Sequence, residues 1–358
     1  MTSQSLAFRL TRAAEAAALP IGALIASATA FGLIVAALGD DPFEVYRMIF
    51  VGGFGSWFSW ENTLQRVAPL LLTALCAALP AQLGLAVIGG EGAFVLGGLA
   101  AVEAAILASR APAWLDIAAM LTAGMAAGAL IVGAAGILRA WRGVSETISS
   151  LLLNYLAIAV FNQLIEGPLR DSSDLNRAST FPMPEQAMIG TIGDSGVHWG
   201  LAVGLVACVG AWVVIFRTTT GFSMRIAGGN AQAARTVGIP VGRLIVGACA
   251  VGGAAAGLAG AIEAAAVYER ANNSLIAGYG FSGILISFIA RHNPLLIIPA
   301  AILFGGIGAS GGLIQRRLGL PDAAVTVLQG CTFLTVLMAE TFRGRSLRDL
   351  VLGEVRTS

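Results

Sequence analysis

The chain has no lysine: all 21 of its basic residues are arginines. That removes a Walker A loop, a Schiff-base amine and a lysine general base. If ATP drives this protein, another chain must bind it. There are only two histidines, His198 and His292, both at the ends of apolar runs, too few for a metal site. The four cysteines, Cys76, Cys208, Cys249 and Cys331, each lie inside an apolar run and show no C-x-x-C spacing. They read as small buried apolar residues rather than as disulfides or ligands. Charge of either sign is scarce, at 11% of residues, against about 25% in an average soluble domain. The net charge of +1 argues against a nucleic-acid partner. No paired Asp/His arrangement is present, so a membrane enzyme is a poor fit.

What is present is apolar: 57% of the 358 residues are hydrophobic. No globular core needs this much, so the solvent is lipid. The pattern predicts an all-α integral membrane protein of about ten segments, at roughly 20 apolar residues per span. Residues 1–18 form a cytoplasmic amphipathic lead-in, 19–342 the transmembrane domain and 343–358 a cytoplasmic tail. Ala17–Leu38 reads as an uncleaved first span, and Gly39–Arg66 as an outer segment with Trp57 and Trp60 at the interface. Val45–Phe54 is expected along the membrane surface, and Val67–Ile88 returns inward. Residues 166–200 form a long external loop. The last segments are short, with a break expected at Ser310-Gly311-Gly312, so broken or re-entrant helices are expected there.

Gly84–Ile106 and Gly278–Ile302 both open with a glycine cluster and continue into an apolar helix, a pseudo-repeat of two halves. Glycine-interrupted segments in matching positions of two halves point to a solute path. For most of the 46 glycines, helix packing is the plainer reading.

The polar interval Arg217–Arg243 carries four arginines and no acid, which marks it as cytoplasmic. Within it, Asn230–Gly238 reads as a short helix: Asn230 caps it, Ala231, Ala233 and Ala234 favour it, and Gly238 stops it after Arg235. A small-residue helix on a cytoplasmic loop is either a docking surface or an ordinary connection.

Ionisable and polar groups inside lipid-length runs are the candidates for function. Glu91 stands at a helix start after a glycine break, as a gate or as a structural cap. Glu103 and Glu263 each suit a hydrogen bond to a neighbouring helix. Asn154 suits a polar solute or interhelical bonding equally. Tyr279 and Phe281, flanking Gly280, offer either a ring to stack on a flat solute or an interfacial anchor.

Together these stretches resemble the permease subunits of bacterial ABC importers, in the branch serving nucleosides, simple sugars and branched-chain amino acids. The larger permease of nucleoside-type importers is the nearest pattern. G-V-S-E-T-I-S-S-L-L-L-N-Y-L-A (Gly143–Ala157) is the most telling stretch. G-L-A-V-I-G-G-E-G-A (Gly84–Ala93), G-L-A-G-A-I-E (Gly257–Glu263), G-Y-G-F-S-G-I (Gly278–Ile284) and N-A-Q-A-A-R-T-V-G-I (Asn230–Ile239) also fit. The similarity spans roughly residues 40 to 340. Val87 and Ala93 depart from it, standing where the family usually has asparagine and glutamine. The resemblance implies a bacterial inner-membrane location and no cofactor on this chain, with ATP and Mg on a cytoplasmic ATP-binding subunit. It also implies a second, smaller permease and an extracytoplasmic solute-binding protein. Asn230–Gly238 becomes the coupling helix on the ATPase. The implied solute is a nucleoside or nucleobase, with a simple sugar next. An ion-coupled secondary transporter, using Glu91 or Glu263, is the rival reading.

Overall fold

The computed structural model describes residues 22–173, 178–321 and 323–341. The expected lead-in 1–18 and tail 343–358 lie outside the described residues. The helices are α1 (Gly22–Ala37), α2 (Pro42–Phe54), α3 (Trp57–Ala81), α4 (Gly90–Ala108), α5 (Ala113–Arg142), α6 (Glu146–Glu166) and α7 (Gly200–Arg217). There follow α8 (Thr219–Gly229), α9 (Ala231–Thr236), α10 (Val241–Glu263), α11 (Tyr279–Ile289), α12 (Pro294–Leu318) and α13 (Ala323–Thr341). A π-helical turn, Ala264–Tyr268, extends α10, and a 3₁₀ turn, Asn273–Leu275, precedes α11. Among the described residues there are isolated β-bridges but no β-strand. Among the described residues seven helices are long and apolar enough to cross a membrane, and three more apolar helices are shorter.

The described residues divide into two compact units, one within 49–310 and one made of those within 1–48 and 311–358. In the smaller unit the Ser27 and Thr332 hydroxyls share a hydrogen bond of 2.6 Å, and the Tyr46 hydroxyl donates to the Ala28 carbonyl.

In the larger unit α4, α5 and α10 pack backbone to backbone. A methyl on Gly124 would lie 2.8 Å from the Ala261 Cβ and 3.0 Å from the Gly97 carbonyl oxygen. A methyl on Gly253 or Gly257 would collide with the Gly128 or Gly124 carbonyl oxygen. In lipid no hydrophobic force drives helices together, so close van der Waals approach over small residues does that work. Most of the glycines on these three helices serve it.

Several segments differ from expectation. α3 starts at Trp57, ten residues before the expected Val67, because Ser56 caps it: its Oγ accepts the Ser59 N–H at 3.1 Å. Trp57 and Phe58 stay exposed in that first turn. No break occurs at Ser310-Gly311-Gly312: α12 runs through, and Ser310 Oγ bonds the Ile307 carbonyl within its own helix at 2.6 Å. The Arg217–Arg243 interval holds two helices rather than one, α8 being added before α9. The described parts of the loop, 167–173 and 178–199, are largely irregular and are tied to the α10–α11 connection. Thr180 N–H donates to Ala271 (2.9 Å) and Met183 N–H to Glu269 (2.8 Å).

Candidate functional site

α3 ends at Ala81, and α4 begins only at Gly90. The intervening chain is held by a polar stripe on α6, whose residues recur at helical spacing. Glu146 accepts the Ala86 N–H (3.4 Å), and Thr147 Oγ1 donates to the Ala86 carbonyl (2.9 Å). Ser150 Oγ accepts the Ile88 N–H (3.0 Å), and Asn154 Oδ1 accepts the Gly92 N–H (2.6 Å). Arg139 pairs with Glu146 at 3.2 Å. Unwound backbone at membrane depth must have its polar groups satisfied. The S-E-T-I-S-S-L-L-L-N stretch does this for the approach to α4.

Glu91, in the first turn of α4, is fully buried. Its Oε1 accepts the Gly278 N–H at 2.7 Å and its Oε2 the Gly280 N–H at 2.6 Å. Gly278 is the N-cap of α11 and has φ +80, which favours glycine. A methyl on Gly280 would collide with the Glu91 backbone nitrogen. One carboxylate therefore sits where two helix N-termini meet. Each terminus is equivalent to roughly half a positive charge, so the pair offsets about one carboxylate charge.

Behind this junction the Tyr279 and Glu263 side chains interact. The Tyr279 ring lies 5.6 Å from that of Phe94, tilted by 51°. Glu263 is buried, and among the described residues its Oε2 has no hydrogen-bond partner, as is also true of Asn154 Nδ2. The Arg66 guanidinium, from α3, acts electrostatically on Glu263, Tyr268 and Tyr279.

Of the expected path residues, Glu91, Asn154, Glu263 and Tyr279 are brought together. Phe281 is not: it is 43% exposed, while Tyr279 is buried and is no interfacial anchor. Glu103 is half-buried and makes no hydrogen bond among the described residues. Val87 and Ala93 lie in a buried apolar cluster with Cys76, Val132 and Cys249. Arg66 and Tyr268 were missed, because each lies at the edge of an apolar run where a polar residue is unremarked.

The expected helix Asn230–Gly238 is α9. Asn230 Oδ1 accepts the Gln232 and Ala233 N–H groups at 3.0 and 2.9 Å, and Gly238 ends the turn at φ +83. Ala231, Ala233 and Arg235 are exposed. Ala234 is not part of that outward face: it is fully buried, packed in the cluster that holds Leu83, Leu85, Val87 and Ala93. In so short a helix the tertiary contacts decide which alanine turns inward. Among the described residues no group of three His, Cys, Asp or Glu side chains could hold a metal ion.

Fold and site together define an all-helical, multi-pass membrane protein built around two abutting helix starts. The chain belongs to the family described as branched-chain amino acid transport system / permease component, matched over residues 59–337. Relatives include the glucose ABC transporter permease protein TsgB13 of Haloferax volcanii, 32% identical over 336 residues, 90% of this chain and 88% of that one. The guanosine ABC transporter permease protein NupP of Bacillus subtilis is 30% identical over 329 residues, 90% of this chain and 94% of that one. NupQ of the same organism, also a guanosine permease protein, is 27% identical over 307 residues, 79% and 91% of the two chains. The chain is thus a permease component of the ABC-importer type, in the nucleoside and sugar branch.

Proposed function

We propose that this permease forms the translocation path for a nucleoside or nucleobase-like solute, with ATP hydrolysed by a separate cytoplasmic subunit. The observation that carries this reading is the Glu91 carboxylate joining the starts of α4 and α11. Transporter sites form where discontinuous helices present their N-termini at membrane depth. The guanosine permeases among the relatives favour a nucleoside, and TsgB13 favours a simple sugar as the second reading.

In this reading the three shorter apolar helices complete ten segments, arranged as two pseudo-repeated halves, in a bacterial inner membrane with both termini cytoplasmic. Residues 166–200 face outward and 217–243 inward. Asn230, Ala231, Ala233, Arg235 and Gly238 present α9 to the ATPase, with Ala234 as its buried footing. The chain works with a second, smaller permease, for which NupP and NupQ supply the precedent, and with an extracytoplasmic binding protein.

The test is uptake by the complete complex in proteoliposomes. Nucleoside accumulation that requires enclosed ATP and survives an uncoupler supports the reading. Accumulation that survives ATP depletion and collapses with the uncoupler refutes it in favour of an ion-coupled carrier.

A further inference from the structure

α11 is tied at both ends to the stretch that joins α3 to α4. At its start Glu91 accepts the Gly278 and Gly280 N–H groups. At its end Gln82 Nε2 donates to the His292 carbonyl at 3.0 Å and to the Ala78 carbonyl of α3 at 3.3 Å. His292 is held twice more: its N–H donates to the Ser287 carbonyl at 2.7 Å, and its Nδ1 shares a hydrogen bond with Ser287 Oγ at 2.8 Å. Its ring meets that of Phe288 edge-on, with centroids 4.9 Å apart. The backbone so gripped is strained. Arg291 has φ +52 and His292 φ +56, two consecutive left-handed residues at a helix end where glycine is the usual choice. Such residues persist only where their surroundings hold them, and they cluster at switch regions.

Gln82 is also met by α8. A methyl on Gly228 would collide with the Gln82 carbonyl and lie 3.1 Å from the Leu83 Cα, so the α8 backbone rests on the residue that grips the turn. Asn230 is at once the C-cap of α8 and the N-cap of α9, so a shift of α9 carries α8 with it. We propose that Gln82 is a positioning residue for transport, passing a displacement of α8 to the α11–α12 turn, and that this turn is a latch. The turn is left-handed at Arg291 and His292 while Gln82 holds it, and relaxes when Gln82 withdraws. This rests on the permease reading, with α9 as the face that the ATPase moves. Coupling between two places needs an element with two arrangements, not contact alone. The strained pair supplies that element. Its left-handed form is unfavourable, three hydrogen bonds on His292 offset that, and losing the one from Gln82 shifts the balance. α11, still fixed at its start by Glu91, then swings about Gly278–Gly280 as its far end comes free. A plain helix stop is usually met by glycine and needs no bond from the end of a second helix.

The experiment uses the complete importer in proteoliposomes with binding protein loaded with guanosine, or with glucose where guanosine is not imported. ATP hydrolysis and uptake are read together. Gln82→Met keeps the length of the side chain and removes its donor. Gln82 is half-buried, so Q82M should leave hydrolysis near the wild-type rate while uptake per ATP falls by about three- to tenfold, the scale of one hydrogen bond. A Gln82 that is only a structural anchor lowers uptake and hydrolysis by one common factor; that result, or an unchanged ratio, overturns the proposal. A second measurement needs no variant in this chain. Hydrogen exchange of the His292 amide is compared in the complex without nucleotide and with ATP held by a hydrolysis-deficient ATPase subunit. That amide bonds the Ser287 carbonyl in the latched turn and should exchange at least about tenfold faster with ATP held. Equal exchange in the two states overturns the latch, even where Q82M fails to assemble, and leaves the permease reading standing. If the wild-type complex imports neither guanosine nor glucose with ATP, the permease reading fails and the latch with it.

Discussion

Replacing Glu91 by glutamine tests the junction most directly. The carboxylate accepts two backbone N–H groups, Gly278 at 2.7 Å and Gly280 at 2.6 Å, in full burial. Glutamine keeps the length but can present an oxygen to only one of them; its amide nitrogen then faces the other N–H, donor to donor. One charge-assisted hydrogen bond is lost, and one buried donor is left unsatisfied. The two costs together come to about 3 to 5 kcal/mol. The negative charge that answered the two helix N-termini goes as well. Glu91→Gln should therefore lower the thermal midpoint of the purified complete complex and abolish solute uptake. Glu91→Asp should do nearly as much, because one methylene fewer prevents the carboxylate from reaching both amides. Glu103→Gln is the control: a half-buried carboxylate in the same helix that makes no hydrogen bond among the described residues. If E91Q and E103Q shift the midpoint equally, Glu91 is no more than one of two costly carboxylates, and the two-helix junction is refuted.

Asn154→Leu removes the acceptor for the buried Gly92 N–H and should cost about 1 to 3 kcal/mol, whereas Asn154→Asp keeps that acceptor and should cost less; denaturation of the complex in detergent measures both. Gly257→Val places a side chain against the Gly124 carbonyl, where α5 and α10 touch, and should destabilise by at least about 1 to 3 kcal/mol, read as lost expression and a lower midpoint. Asp171 accepts from the Ser173 hydroxyl (2.6 Å) and N–H (2.9 Å), and these bonds, with the Arg270 charge, hold its carboxyl below the usual carboxylate range. A depressed carboxyl contributes stability above its unfolded value of about 4 and loses it as the pH falls through the lower folded value. Asp171→Asn should thus speed hydrogen exchange of the Ser173 amide at neutral pH and make progressively less difference in acid.

Much of this was legible in the sequence. Apolar runs located most of the helices, Asn230 announced its cap, and a carboxylate after a glycine break singled out Glu91. What the sequence could not supply was the partner. Nothing local says that Glu91 answers Gly278 and Gly280, which lie nearly two hundred residues on. Local signals also misled. The span expected from Val67 begins ten residues earlier, at Trp57, because the Ser56 cap starts a helix there, and Trp57 and Trp60 stay exposed on it. Ser310-Gly311-Gly312 reads as a break, yet α12 runs through it because the serine hydroxyl bonds within its own helix and each glycine costs it only about 1 kcal/mol. Arg66 and Tyr268 carried no signal, since their interest arises only from what α10 and α11 bring beside them.

The motif read as most telling has a mechanical meaning once its bonds are traced. Glu146, Thr147, Ser150 and Asn154 hold the chain between α3 and α4 in place. The same chain contributes Leu83, Leu85 and Val87 to the apolar cluster that also takes in Ala234 of α9 and Ala227 of α8. A methyl on Gly228 of α8 would collide with the Gln82 carbonyl, so that helix rests directly on the chain as it leaves α3. One continuous set of packed and hydrogen-bonded groups thus runs from α9 through residues 82–90 to Glu91, and from Glu91 into α11. Close-packed interiors transmit displacement because they have few voids to absorb it. On the proposed reading, force applied to α9 reaches the junction along this path, and α6 is the rail that keeps the intervening backbone from slackening. Ala233→Glu, on the exposed face, should then disturb only the grip of the ATPase. Ala234→Glu should loosen the path itself, because it places an unpaired charge in the apolar cluster.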